Sequence, residues 1–456
     1  MSDTPKTSDP KPVDPKTMDK IVSLSKRRGF IFPSSEIYGG LASAWDYGPL
    51  GVELKANLQR FWWKEMTQLH DNIVGLDAAI LMHPTVWKAS GHVENFADMM
   101  VEDTVTNERY RWDHLTAEQR DTKTSPNGNP LSEPRQFNLM FETHLGPSTA
   151  SGTKVYLRPE TAQGIYVNFK NVVQTSRVKI PFGIAQVGKA FRNEIVTKNF
   201  IFRTVEFEQM EMQYFVKPGE DDKWFEYWKA ERMKYYEKLG IRMDRLRFEE
   251  HGPDELAHYA KAAFDIQYEF PFGWQELEGI HNRTDYDLSR HSEFSGKEIN
   301  YLEEETKNRY IPYIVETSAG LTRSVLMVLS DAYEEEEVGE NDVRTVLHFH
   351  PKIAPIQVAV FPLVKKDGLA EKAREIETEL REDFATFYDQ SGAIGRRYRR
   401  QDEVGTPYCL TIDYDTMSDD TVTLRYRDSM EQVRIPVAEL TATIRQAMKD
   451  YKRVGT

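Results

Sequence analysis

The chain has 456 residues, 39% hydrophobic and 29% charged, and its Lys+Arg 59 against Asp+Glu 73 leaves a formal charge of −14. This suits a globular protein with room for roughly two to four domains and excludes a surface coated in positive charge, so a nucleic acid would have to be met by local patches. One cysteine, Cys409, rules out an intrachain disulfide framework and a multi-cysteine zinc site. Met1–Lys16 lacks the apolar core of a signal peptide, and no run approaches the roughly 18 apolar residues of a membrane span; a cytoplasmic protein is expected.

Taken in chain order, residues 1–16, rich in Pro, Lys, Asp, Ser and Thr, predict a flexible tail. Pro49 opens a helix at the favoured first position, with an apolar stripe of Leu50, Leu54, Leu58, Phe61, Met66 and Leu69. A strand from Ile73 to Met82, ending at Pro84, is expected next. Two insertions are expected, at about 95–150 and 217–270. The first contains the polar stretch Thr122–Pro134, and the second a charged helix packed on one side. Strands are predicted at Lys154–Leu157, Phe182–Ala190 and Val205–Phe215, the last with a register slip near Gln209. Together these predict an antiparallel sheet with flanking helices over residues 17–349, an α+β core within an overall α/β chain.

The acidic run Glu334–Glu337 and the proline-bounded segment His350–Pro355 predict a domain boundary and linker. Beyond it, about five strands alternate with three helices, of which Ile394–Val404 is stopped by Gly405 and Pro407. Residues 350–456 therefore read as a smaller mixed α/β domain.

The common glycine-rich phosphate loops are missing, as are a His-Glu-x-x-His spacing and the familiar nucleophile motifs. Four segments instead place charge on predicted strands or at their ends. Phe191-Arg192-Asn193-Glu194 and Arg203-Thr204-Val205-Glu206-Phe207 form a hairpin on which Arg192 and Phe207 can face the same way, an arginine for phosphate and a ring for a base. A salt-bridged structural hairpin fits those residues equally well. Glu316-Thr317-Ser318-Ala319-Gly320-Leu321-Thr322-Arg323 leads from a strand through small residues into a helix, a geometry for an anion or simply a tight turn. Glu160 and Glu276 are carboxylates on otherwise apolar strands, suited to an ammonium, a magnesium ion or internal pairing.

Together these segments resemble motifs 2 and 3 of the class II aminoacyl-tRNA synthetases, and the strand ending at Pro84 resembles motif 1. Longer strings narrow the resemblance to the homodimeric glycyl-tRNA synthetases. They are Lys26–Phe30, Ser34–Gly40, Trp45–Gly51, Ala89-Ser90-Gly91-His92, Arg158–Gly164, Glu206–Glu211 and Tyr398–Pro407. The likeness runs from about Ile21 to the C-terminus. The chain departs from the pattern at Thr317, where the family often has proline, at Tyr426, where it has aspartate, and at Val101–Arg109, which lacks the cysteines of some relatives.

The resemblance implies ATP-dependent activation of glycine, transfer to the 3′ end of glycine tRNA, a homodimer, magnesium and no zinc. It implies that Arg192 and Arg323 neutralise phosphate charge in the transition state, aided by Asn193, Glu194, Phe202, Arg203, Phe207, Leu277 and Gly320 around ATP, with Glu276 near magnesium. For glycine it implies Glu160, Phe207, Gln209, Glu211, Glu316, Ser318 and Gly320, with Arg111 a weaker candidate and Arg109 weaker still. A pocket without room for a methyl group needs no editing domain. Arg396, Arg397, Arg399 and Arg400, around Tyr398, make a candidate tRNA patch, or else a solvated helix face. Two alternatives are a class II synthetase for another small amino acid and a catalytically inactive, synthetase-like nucleic-acid-binding subunit.

Overall fold

A seven-stranded sheet organises the larger part of the chain. The computed structural model describes residues 16–147, 152–194, 199–253, 256–257, 259–340 and 342–453. The expected tail lies outside these except for Lys16, which begins helix α1 (Lys16–Arg28). The sheet comprises β1 (Ile73–Gly75), β2 (Phe182–Phe191), β3 (Glu206–Val216), β4 (Leu246–Glu250), β5 (Ala262–Phe270), β6 (Gly273–Thr284) and β7 (Tyr313–Gly320). Their spatial order is β4-β5-β6-β7-β3-β2-β1. Every pair is antiparallel except β1 with β2.

Alternation along β3 and β7 gives the sheet two chemically different faces. Met210, Met212, Tyr214, Val315 and Ala319 join the main core with Leu54, Leu58 and Trp62 of α2 (Pro49–Thr67) and Val325 and Leu329 of α4 (Leu321–Ala332). The intervening residues Gln209, Glu211, Gln213, Glu316 and Ser318 turn the other way. Helix α3 (Asp221–Lys238) is tied to β6 by a buried pair, Arg232 Nε to Glu278 Oε1 at 2.6 Å, completed by the Tyr236 hydroxyl at 2.7 Å.

Several expectations need correction. No slip occurs near Gln209, because β3 pairs with β2 without interruption from Glu206 to Phe215. The motif 1 strand stops at Gly75: beyond it, Ala78 donates its N–H to Gln186 Oε1 and its carbonyl accepts from Arg158, so side chains replace the ladder. Residues 217–270 hold the expected helix packed on one side of the sheet, and also supply the sheet with β4 and β5. Thr153–Tyr156 pairs with Glu142–Leu145 in a separate hairpin. Segment 95–150 contains a three-stranded sheet and its own small core of Val101, Leu115 and Leu131.

A hairpin, β8 (Tyr333–Gly339) and β9 (Asp342–Leu347), takes up the acidic run. The last domain is a five-stranded sheet of β10 (Val358–Pro362), β11 (Thr386–Tyr388), β12 (Tyr408–Ile412), β13 (Thr421–Tyr426) and β14 (Gln432–Pro436), in the order β11-β10-β12-β13-β14. Helices α5 (Leu369–Leu380), α6 (Ile394–Val404) and α7 (Leu440–Asp450) flank it. The predicted linker is not loose. Ile353 and Ala354 are buried, and their carbonyls accept from Asn57 of α2.

Candidate active site

The polar face of the sheet opens into a cavity of about 220 Å³. Glu211 from β3 stands opposite Ser318 of β7, which stands opposite Gly279 of β6; Glu316 stands opposite His281. Period two along each strand aims Gln209 and Glu211, Glu316 and Ser318, and Gly279, His281 and Arg283 into one space. Glu160 enters from the turn before the Ala162–Val167 helix.

Here two carboxylates hold one buried guanidinium. Arg283 Nη1 lies 3.2 Å from both oxygens of Glu316, and its Nε and Nη2 donate to Asp287 at 2.8 and 2.9 Å. Its face covers the Tyr259 ring at 3.7 Å. His281 Nδ1 lies 2.8 Å from Glu316 Oε2, and Gln213 donates to both Glu211 and Glu316. The Thr161 hydroxyl and Gln213 both donate to Glu211.

Like charges this close push their proton affinities apart. Burial raises Glu211 well above the usual carboxylate range, and the charges of Glu316 and Glu160 add to it. Burial also opposes the charge of Glu316, yet Arg283 and His281 hold it below that range. Glu160 is likewise lowered against burial, by His92 and Arg283. Of these three glutamates, Glu160 and Glu316 are thus held toward the ionised form and Glu211 toward its proton.

Arginines line the rest of the cavity. Arg192 donates from Nε to the Pro159 carbonyl at 3.0 Å, and its guanidinium lies 5.2 and 5.3 Å from the Phe96 and Phe207 rings. Arg192 and Phe207 do face the same way. Arg323, in the first turn of α4, covers the Phe202 ring at 4.5 Å and pairs with Glu276 Oε2 at 3.1 Å. That guanidinium is the largest influence lowering the Glu276 carboxyl. Glu194 and Arg203, 3.5 Å apart, and Gly320 complete the wall. Of the connection between the motif 2 strands, residues 195–198 lie outside those described.

Some expected residues are placed elsewhere. Leu277 is the unpaired residue where the β5–β6 register shifts, and it turns into the main core. Asn193 does not line the cavity; its N–H donates to the Leu139 carbonyl. Arg111 is held by Asp98 at 3.2 Å and Asp113 at 2.7 Å, outside the lining. Thr317–Gly320 belongs to β7, with its backbone in the ladder, so it is not a free turn of amides at a helix start. Sequence reasoning missed Tyr259, His281 and Arg283; the Gly279, His281, Arg283 alternation on a strand was the signal for the last two.

In the last domain, Arg397 is 2% exposed and donates to the carbonyls of Pro362, Leu363 and Asp389. It fastens α6 to the sheet and is not available to RNA. The Tyr398 hydroxyl is bonded to Thr411. Arg396, Arg399 and Arg400 line a shallow pocket of about 570 Å³ with Gly392 and Gly395. Arg399 pairs with Asp342 and Arg400 with Asp389, at 2.7 and 2.9 Å.

Comparison with known proteins agrees with this geometry. The family described as "tRNA synthetase class II core domain (G, H, P, S and T)" matches residues 147–332, and "Anticodon binding domain" matches residues 357–447. A glycine–tRNA ligase of Treponema denticola is 66% identical over 96% of this chain and 98% of its own length. One of Borreliella burgdorferi is 60% identical over 95% and 98%, and one of Treponema pallidum 56% identical over 96% and 100%. With motif 2 and motif 3 arginines meeting in one cavity on an antiparallel sheet, and an anticodon-binding domain behind it, this chain belongs to the glycine–tRNA ligase family of class II aminoacyl-tRNA synthetases.

Proposed function

We propose that the chain activates glycine with ATP and transfers it to the 3′ end of glycine tRNA. A glycine carboxylate oxygen attacks the α-phosphorus of ATP, forming glycyl-adenylate as the bond to pyrophosphate breaks. A terminal ribose hydroxyl then attacks the activated carbonyl, the ester forms, AMP departs and the hydroxyl proton is released. Neither step needs a protein nucleophile. Alignment and neutralisation of phosphate charge contribute roughly 3–10 kcal/mol each in preorganised sites.

The observation that carries this reading is that one small cavity holds both the Glu160, Glu211 and Glu316 cluster and the phosphate-suited Arg192 and Arg323. Glu160 and Glu316 meet the ammonium, with Glu211, Gln209 and Ser318 beside it. Arg192 lies on the α-phosphate and Arg323 on the γ-phosphate, and Phe207 with Phe202 borders the adenine. Magnesium takes few protein ligands when phosphates complete its shell. Glu276, half-exposed on the cavity wall, fits as a single carboxylate of that kind, and the ion would neutralise and orient the phosphates.

Arg396, Arg399 and Arg400 are assigned to the tRNA. A homodimer is supported by exposed Val167 and Phe294, which line a groove of about 610 Å³ with Val86 and Ala89. The α2 aromatics do not support it, because Trp62 is fully buried and Phe61 and Trp63 pack on the same core. Among the described residues no helix is long and apolar enough to cross a membrane; a cytoplasmic location is part of the proposal, since ATP, glycine and tRNA are met there. Charging of glycine tRNA with labelled glycine tests the function. An acid-precipitable product that requires ATP is expected; no charging by folded protein overturns the proposal.

A further inference from the structure

Glu160 is gripped from outside the cavity. His92, in the short His92–Asn95 helix, does not line the cavity, yet its Nε2 lies 3.3 Å from Glu160 Oε2. Its Nδ1 lies 2.8 Å from the Ser90 hydroxyl, and its ring sits between Trp87 and Phe96, with centroids 5.5 and 5.3 Å away. Only 11% of the His92 side chain is exposed. The other oxygen of Glu160 accepts from Gln163 at 3.0 Å, and Gln163 is itself fixed by His291 and Asp287. Both carboxylate oxygens therefore have a held partner.

We propose that His92 is a positioning residue for the amino-acid site: anchored by Ser90, it holds the Glu160 carboxylate in the orientation that receives the ammonium of glycine. The titratable groups facing Glu160 are His92, Arg283, Glu316 and Glu211. Of these, the Glu316 carboxylate repels it. Arg283 is shared with Glu316 and Asp287. A donor dedicated to Oε2 is then what settles the side chain between its rotamers and keeps its charge beside Glu211. With Nδ1 held by the Ser90 hydroxyl, itself 3.3 Å from the Trp87 carbonyl, the ring presents Nε2 to Glu160.

This inference rests on the assignment of Glu160 to the ammonium, so the test is a double-mutant cycle read by glycine-dependent ATP–pyrophosphate exchange. His92→Ala should raise the glycine KM roughly tenfold, with kcat and the ATP KM little changed. His92→Gln, which keeps an N–H, should recover most of the loss. Glu160→Gln should by itself raise the glycine KM, and adding His92→Ala to it should add little. An unchanged glycine KM in His92→Ala, or an equal penalty with and without Glu160, overturns the role of His92. If Glu160→Gln alone leaves the glycine KM unchanged, the underlying assignment fails instead. Should His92→Ala not fold, Ser90→Ala carries the test: a raised glycine KM with the ATP KM unmoved supports the anchor, and an unmoved glycine KM overturns it.

Discussion

Glu211, Glu160 and Glu316 share their cavity with Arg283, and burial makes three full negative charges there costly. The proton affinity of Glu211 is raised by burial and by its two neighbours, so the folded chain holds that proton to a higher pH than the unfolded chain does. The sign follows: between its unfolded value and its raised folded value, stability falls as pH rises. Glu211→Gln, isosteric with the protonated form, should remove that contribution; denaturant midpoints measured from pH 5 to pH 8 should decline less steeply in the variant, and identical slopes would count against the raised affinity. Arg192 should behave differently. Arg192→Ala should leave the melting temperature near that of the parent while adenylate formation drops by about 100-fold or more, the usual cost of removing one transition-state donor. Near-normal exchange would remove it from the chemistry. Glu160 was legible as a carboxylate among apolar neighbours that demands partners, although it stands in a turn and not on the expected strand; Glu211 and the glycine role of Glu316 were legible through the family resemblance. Tyr259 was not, since only tertiary folding brings it to Arg283. Arg397 was misread because a run of arginines hides a helical period: Arg397, Gln401 and Val404 share the buried face of α6.

Elements repeat the lesson at longer range. Helix α2 was readable from its proline and its stripe, and β2 and β3 from alternation. The end of β1 was not, because its ladder is replaced by Gln186 and Arg158, residues more than 70 positions away in sequence. Gly51 is also decided by a distant neighbour. In isolation an alanine there should strengthen the helix by about 1 kcal/mol. In the structure a Cβ at Gly51 would lie 1.8 Å from the Phe30 carbonyl oxygen, where backbone must shift. Gly51→Ala should therefore destabilise the protein by about 1–3 kcal/mol net, measured by chemical unfolding. A stabilised variant would mean that α2 and the Phe30 segment are not in contact.

On the scale of the whole molecule, the two domains are joined by buried charge. Arg344 of β9 reaches Asp402 and the Arg427 carbonyl, Arg427 donates to the Phe349 carbonyl, and His348 contacts Asp428. Arg27 and Arg28 of α1 meet Glu403. Prolines at 351 and 355 announced the boundary in sequence, but not that it would be packed shut, because each ion pair spans the two domains. Removing the last domain would strand these charges, so its role is better tested by point changes. Replacing Arg396, Arg399 and Arg400 by alanine should raise the KM for tRNA roughly tenfold and flatten its salt dependence, since fewer counterions are released, while the glycine KM stays unchanged. An unaltered tRNA KM would mark the cluster as a solvated face. A homodimer predicts a sedimentation coefficient for twice the chain mass at micromolar concentration; a fully active monomer would refute it. The central claim is that one cavity selects glycine and activates it with ATP. ATP–pyrophosphate exchange measured with each of the standard amino acids in turn tests this most directly: exchange dependent on glycine, with alanine and serine near background, is the predicted result, and exchange driven by another amino acid in preference to glycine would contradict it.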